Sequence, residues 1–101
     1  MTVKHIVLFK LKETANGEPR EANARAMKQK LEALRGRIPG LRHIEVGIDF
    51  ERSASAYDVA LCSEHDSREA LAAYQSHPEH QAIVGFVTSV REARVVVDYE
   101  I

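Results

Sequence analysis

The two ends of this chain are short runs of β-branched and aromatic residues that are apolar on both faces of a strand. At the beginning, residues 3–11 read VKHIVLFKL, with Val3, Val7 and Phe9 on one face at period two and Ile6 and Leu8 on the other. At the end, residues 93–101 read ARVVVDYEI and are also largely apolar on both sides. Because water is an unfavourable neighbour for apolar side chains, we expect both faces of a sheet built from these strands to be covered.

The sequence after the first strand predicts a helix and then a hairpin. Four apolar residues recur at spacings of four, three and four, which is typical of an amphipathic helix, here over residues 18–37. These residues are Met27, Leu31, Leu34 and Ile38. Pro39 and Gly40 end this helix, and two alternating runs, residues 41–50 and 56–63, then predict an antiparallel hairpin joined by a polar turn.

A pair of helices separates the hairpin from the last strand. Asp66 followed by Glu69 resembles a capping box, which predicts the start of a short helix. The segment SHPEH interrupts the helical pattern, and a second helix follows from about Pro78 to Arg91. The predicted order is therefore strand, helix, strand, strand, helix pair, strand.

This order is that of the ferredoxin-like βαββαβ fold, an α+β architecture with an antiparallel four-stranded sheet and helices on one face. A chain of 101 residues has the size of one compact domain, here residues 1–101. Since the helices cover only one face, the other face keeps the outward apolar residues of the two end strands. We therefore predict that two chains pack these open faces together as a homodimer.

Composition argues against several classes of partner. The 14 Lys and Arg are balanced by 15 Asp and Glu without a basic run, so nucleic-acid binding has no electrostatic source. No apolar run approaches the roughly 20 residues of a membrane span, and no secretory signal pattern is present, so we expect a cytoplasmic protein. The single Cys62 has no internal disulfide partner and is interpreted as a small buried hydrophobe.

Two of the five histidines lie in the stretch YQSHPEH, residues 74–80. His77 and His80 are three positions apart, but a zinc site needs a third or fourth ligand and the spacing is not that of HExxH, so neither metal nor cofactor is predicted. An imidazole titrates near neutral pH, and beside the Tyr74 hydroxyl it is suited to removing a proton next to a carbonyl. Alternatively, proline after His77 is typical of a helix entrance.

Several segments together resemble the stress-responsive A/B-barrel (Dabb) domain family. They are VKHIVLFKLK, IPGLRHIEVGIDF, AYDVAL, ALAAYQSHPEHQAIVGFV and RVVVDYE, in the family's order and spacing over nearly the whole chain. The resemblance implies a dimeric α+β barrel of two ferredoxin-like sheets, with a cavity between sheet and helices in each protomer. It implies no single activity, because one fold carries many functions.

The chain is distantly similar to a plant member of this group, an olivetolic acid cyclase that closes a linear tetraketide without a cofactor. By the match of its YxxHPxH motif, the resemblance implies His80 as the catalytic general base and Tyr74 as its hydrogen-bond-donating partner. It further implies His5 and His77 as binding residues.

Two polar pocket residues of that cyclase are apolar here, at about Leu31 and Val59, so its binding pocket is not transferred. We therefore favour a protein that binds a small apolar or carbonyl-containing ligand. The alternatives are a cofactor-free cyclase or isomerase and a structural assembly module.

The same polar residues also have structural interpretations. His5 alternates with buried strand residues, where a hydrogen-bonded core histidine is common, and Tyr74 fits a core position with its hydroxyl at the edge. Asp58 and Asp98 are interpreted as residues that fix strand ends or the dimer contact.

Overall fold

The computed structural model describes residues 1–101 as a four-stranded antiparallel sheet with three helices packed on one face. The strands of the sheet are β1 (Val3–Leu11), β4 (Leu41–Ile48), β5 (Val59–His65) and β6 (Arg91–Glu100), in the order β4-β5-β1-β6. The helices are α1 (Arg20–Glu32), α2 (Arg68–Ser76) and α3 (Pro78–Val90). This arrangement confirms the predicted ferredoxin-like fold. None of the three helices has the length and apolar character that crossing a membrane requires.

The core lies between the helices and the inward face of the sheet. Every second residue of β1 is buried, namely Val3, His5, Val7, Phe9 and Leu11. The four apolar residues of the predicted helical stripe, Met27, Leu31, Leu34 and Ile38, are buried as well. Period-two alternation in the strand and helical spacing in the first helix therefore predicted these inward residues correctly.

The first helix is shorter than its predicted range, residues 18–37. A ribbon of two short strands, β2 (Thr14–Ala15) and β3 (Glu18–Pro19), precedes it, because Asn16 and Gly17 both take positive φ and close a tight turn. The helix then ends at Glu32, four residues before Gly36, whose φ of 78° lies in the left-handed region. Leu34 and Ile38 keep their buried positions in the turns that follow.

The second helix begins with a different cap from the predicted one. The hydroxyl of Ser67, rather than the carboxylate of Asp66, accepts a hydrogen bond from the backbone N–H of Ala70 at 3.0 Å. The preceding strand runs to His65, two residues past its predicted end at Ser63. Because β5 extends to His65, this histidine faces inward and is buried in the core.

Asp58 ties the entry of β5 to the end of β1. Its Oδ2 accepts a 2.6 Å hydrogen bond from the backbone N–H of Leu11, and its other oxygen lies 2.7 Å from Arg52. Burial alone would raise the pKa of this carboxyl, but the Leu11 hydrogen bond and the Arg52 charge hold the pKa below its usual value. The interpretation of Asp58 as a residue that fixes a strand end agrees with this geometry.

The face of the sheet that points away from the helices carries an apolar patch. We call this surface the open face. Its apolar members on the first and last strands, β1 and β6, are Ile6, Leu8, Val95, Val97 and Tyr99. Val97 is 61% exposed in the single chain, an unusual position for a large aliphatic side chain in a soluble domain.

Candidate functional site

A cavity of about 260 Å³ lies between the inward face of the sheet and helix α3, with a contribution from α1. An apolar cavity of roughly 150 Å³ holds benzene, so this one has room for a single substituted ring or a chain of similar size. Its apolar walls are formed by Val7, Phe9, Leu31, Leu61, Ile83, Val84 and Val87. Its polar and charged wall residues are His5, Gln75, His80, Thr88, Arg91 and Arg94.

His80 lies in the first turn of α3 and lines the cavity. Its Nδ1 lies 3.1 Å from the backbone oxygen of Gln75, a carbonyl that can only accept, so Nδ1 carries the proton. Burial lowers the pKa of His80, an effect that the Gln75 carbonyl partly offsets and the charges of His5 and Arg94 reinforce. The ring is therefore neutral at pH 7, with Nε2 as its basic nitrogen.

His77 is the N-cap of α3 and does not line the cavity. Its Nδ1 accepts a 3.1 Å hydrogen bond from the backbone N–H of Glu79, and Pro78 occupies the first helical position. The structure therefore separates the two motif histidines, one at a helix entrance and one at the cavity.

His5 is paired with Asp98 across neighbouring strands. The two residues are directly opposite in the β1–β6 register, and Nδ1 of His5 lies 2.5 Å from Oδ1 of Asp98. A carboxylate in this position holds the proton on Nδ1 and fixes the ring, which leaves Nε2 as the free nitrogen of a residue that lines the cavity. Asp98 thus supports a cavity residue, a role that sequence reasoning missed because the two residues are 93 positions apart.

Tyr74 is completely buried against the histidines, and its hydroxyl has no hydrogen-bond partner in the protein. Its ring centroid lies 4.5 Å from that of His80, although Tyr74 itself is not part of the cavity wall. Burial raises the pKa of Tyr74 to about 12, so the phenol stays protonated and can donate at neutral pH. An unpaired buried hydroxyl is costly in free energy, which makes it a candidate partner for a ligand oxygen.

His65, at the end of β5, is a fourth ring of this cluster that sequence reasoning missed. Its centroid lies 4.8 Å from that of Tyr74, and its Nε2 is 2.9 Å from the hydroxyl of Ser63. The signal was present in the alternation of Val59, Leu61, Ser63 and His65 on the inward face of β5. Burial, together with the charge of His5, lowers the pKa of His65 to about 4.

We expect His65 to make the fold sensitive to acid. Its pKa is about 4 in the folded chain and 6.5 as the ordinary value, so protonation favours the unfolded state. Above pH 6.5 His65 is neutral in both the folded and the unfolded chain, so its titration does not change the free energy of unfolding. As the pH falls from 6.5 to about 4, protonation of the unfolded chain lowers this free energy by up to about 3 kcal/mol. Urea unfolding at fixed protein concentration, at about pH 7 and pH 4.5, should show a smaller loss for His65→Gln than for the parent.

The matched control for this measurement is His43→Gln, because His43 is a half-exposed histidine on the opposite side of the sheet. It should retain the parent's pH dependence. Equal losses in the parent and in His65→Gln would contradict the assignment of this acid sensitivity to His65.

Metal and thiol chemistry find little support in the residues present. No group of three or more His, Cys, Asp or Glu side chains is placed to hold a metal ion. Cys62 is half-buried, and burial together with the charge of Glu45 raises the pKa of its thiol, which disfavours the reactive thiolate at neutral pH.

Comparison with known proteins assigns the chain to a family and supports its fold. The sequence model of the family termed "Stress responsive A/B Barrel Domain" (Dabb) matches residues 3–101. An uncharacterised protein of Streptomyces coelicolor is 36% identical over 99 residues, which are 97% of this chain and 98% of that protein.

Solved structures of similar proteins add information on assembly. A dimeric protein of unknown function from Bacteroides fragilis, with a ferredoxin-like fold, is 37% identical and has a TM-score of 0.87 over 99% of this chain and 96% of its own. Two further bacterial proteins with this fold and unknown function are also dimeric. A hydroxynitrile lyase from Passiflora edulis, 19% identical with a TM-score of 0.75 over 99% of this chain and 93% of its own, shares the fold alone.

Proposed function

This chain belongs to the stress responsive A/B barrel (Dabb) domain family, and we propose that it is a homodimer whose helix-side cavity binds a small carbonyl-containing molecule. The observation that carries the proposal is the cavity itself, with seven apolar wall residues and with the imidazoles of His5 and His80 among its six polar or charged ones. Apolar concave sites with a few converging polar groups are typical of small-molecule binding. Its volume limits the ligand to about one ring with substituents.

The hydrogen-bonding groups of the site match a carbonyl oxygen. A ketone oxygen only accepts hydrogen bonds, and Tyr74 offers a buried O–H donor without a partner. Tyr74 lies behind the cavity wall with its ring 4.5 Å from that of His80, so a ligand oxygen that reached past the wall to this hydroxyl would supply the missing acceptor and remove the cost of leaving it unpaired. The carbonyl group is thus the part of the ligand that this site recognises, while the apolar walls hold the rest.

If the ligand binds in the cavity, a larger side chain in the cavity wall should weaken its binding. Val87 lies on α3 and lines the cavity, so Val87→Phe should block it and weaken binding of small aryl ketones at least tenfold in calorimetric titration. Ala82→Phe is the control, because Ala82 is exposed on the same helix and outside the cavity. Equal affinities of the parent and Val87→Phe for every ketone that binds would place binding elsewhere.

The homodimer is supported by the open face and by the dimeric relatives. Apolar side chains such as Val97 and Val95 would leave water if two open faces met, and several of these positions are exposed in the single chain. Burying an unpaired charged side chain in the middle of that contact should raise the free energy of the dimer.

We therefore expect Val97→Glu to shift sedimentation from dimer to monomer at micromolar concentration. Ala82→Glu, which adds the same charge on the helix side, should remain dimeric. A parent protein that sediments as a monomer at this concentration would contradict the proposal.

A second candidate function is proton transfer on the bound carbonyl compound, and the oriented histidines favour it. In both His80 and His5 one ring nitrogen is held by a fixed partner, so the other is available to a ligand. In this reaction Nε2 of His80 takes a proton from the carbon next to the carbonyl, and the electron pair of the C–H bond forms the enolate. The Tyr74 hydroxyl donates a hydrogen bond to the developing enolate oxygen. Return of the proton from the imidazolium to carbon regenerates the histidine. In the alternative outcome the enolate carbon attacks a second carbonyl, and the alkoxide that forms takes the proton from the imidazolium.

A further inference from the structure

We propose that Arg91 and Arg94 form a carboxylate-binding end of the cavity, so that the natural ligand is a small keto acid rather than a neutral ketone. This inference rests on the proposed ligand-binding function and adds the chemical class of the ligand. It is carried by the position of the two guanidinium groups, by their lack of protein partners and by the absence of acidic side chains from the cavity wall.

Both arginines belong to the helix-side face of β6. Arg94 is directly opposite Phe9 in the register of β1 and β6, and Arg91 is opposite Leu11. Phe9 and Leu11 are buried inward-facing residues, and directly paired residues of an antiparallel sheet point to the same side. Both arginines are accordingly wall residues of the cavity.

Neither arginine has a partner within the protein. Most other arginines of the chain form ion pairs, such as Arg52 with Asp58 and Arg68 with Glu100, but the guanidinium groups of Arg91 and Arg94 form no ion pair and no hydrogen bond. The acid on their own strand face, Asp98, is bound to His5 instead. Arg91 is half-buried and Arg94 is exposed, and both guanidinium groups keep their donors free of protein partners on the cavity wall.

The wall of the cavity contains no Asp or Glu to balance these charges. Arg94 and His80 both line the cavity, and the charge of Arg94 makes a small contribution to the lowered pKa of His80. An anion bound at Arg94 would therefore share the cavity with the candidate base. A keto acid presents both groups close together, because its carboxylate is bonded directly to the carbonyl carbon in an α-keto acid and separated from it by one carbon atom in a β-keto acid.

A small carboxylate suits both the guanidinium pair and the size of the cavity. The planar guanidinium presents parallel N–H donors that match the two oxygens of a carboxylate. A cavity of about 260 Å³ has no room for a nucleotide or a coenzyme, and the chain has no basic run that would suit a polyanion. The remaining alternative, a free inorganic anion, becomes one outcome of the test.

The test compares keto acids with their uncharged esters. Phenylpyruvate and benzoylacetate, each beside its methyl ester, are titrated into the full-length protein by calorimetry. We expect at least one acid to bind at least tenfold more tightly than its ester. The double variant Arg91→Gln/Arg94→Gln should remove that difference, because it weakens binding of the acid at least tenfold more than binding of its ester. Arg25→Gln, at an exposed arginine outside the cavity with no ion pair, should behave like the parent.

Each result has a defined meaning. Esters that bind as tightly as their acids, with binding lost in Val87→Phe, would overturn the inference and leave the proposed function standing. Binding of neither form would overturn both. Inorganic phosphate that displaces the acids at equal concentration would show a general anion site and overturn the assignment to a carboxylate. Retained preference for the acid in the double variant would show that other groups recognise the charge.

Discussion

His80→Gln lowers the rate of α-proton exchange in a bound keto compound by about 10²- to 10⁴-fold if His80 is the base, the usual contribution of a positioned general base. Glutamine is chosen because its amide can still donate to the Gln75 carbonyl, the partner of Nδ1 in the parent. It has no basic nitrogen to take the proton. The rate is measured as deuterium incorporation from D2O, followed by NMR.

The pH dependence of the exchange tests the same assignment. Because burial lowers the pKa of His80, the base stays neutral below the ordinary histidine pKa, and the rate should fall only at a pH under 6.5. His43→Gln, on the other side of the sheet, serves as the matched control and should keep the parent's rate. An unchanged rate in His80→Gln would remove this residue from the chemistry and leave His5 as the candidate base.

Tyr74→Phe should separate stability from activity. Since the hydroxyl has no protein partner, its removal should leave the free energy of unfolding unchanged or raise it by about 1 kcal/mol. If the hydroxyl stabilises the enolate, the exchange rate should fall by about 10²- to 10³-fold, the effect of losing one oxyanion donor. Urea unfolding and deuterium incorporation on the same preparation give both quantities.

Tyr57→Phe is the control for this substitution, because Tyr57 is half-buried and outside the cavity. It should alter neither quantity strongly. A Tyr74→Phe variant that exchanges protons at the parent's rate would contradict the role of donor. One that loses about 1 kcal/mol of stability or more would mean that the hydroxyl has a protein partner.

Most of the fold follows from local sequence patterns. Strand β1 occupies its predicted residues, and Pro78 opens α3 as the helix-entrance interpretation requires. The predicted ends of α1 are wrong because local turn signals in the sequence compete there with the helical pattern. Asn16 and Gly17 favour a tight turn, which delays α1, and Gly36 follows its early end although the apolar spacing continues to Ile38.

The candidate site was predictable only in part, because the spacing of residues along the sequence does not show which strands lie side by side in the sheet. The family resemblance proposed His80 and Tyr74 from the YxxHPxH motif and His5 from the first strand, and the rings of these three residues lie close together in the structure. The positions of Asp98 and His65 in the site depend on how the strands pair and where they end. Asp98 reaches His5 because β1 and β6 are paired, and His65 reaches Tyr74 because β5 extends to that residue.

The central claim is that the helix-side cavity binds a carbonyl compound, and a crystal structure of the protein with a bound keto acid tests it most directly. The account predicts a ligand between α3 and the sheet, with its carbonyl oxygen within hydrogen-bond distance of the Tyr74 hydroxyl, the carbon next to the carbonyl close to Nε2 of His80, and its carboxylate at Arg91 and Arg94. A ligand bound on the open face, or an empty cavity at a concentration that saturates binding in solution, would contradict it.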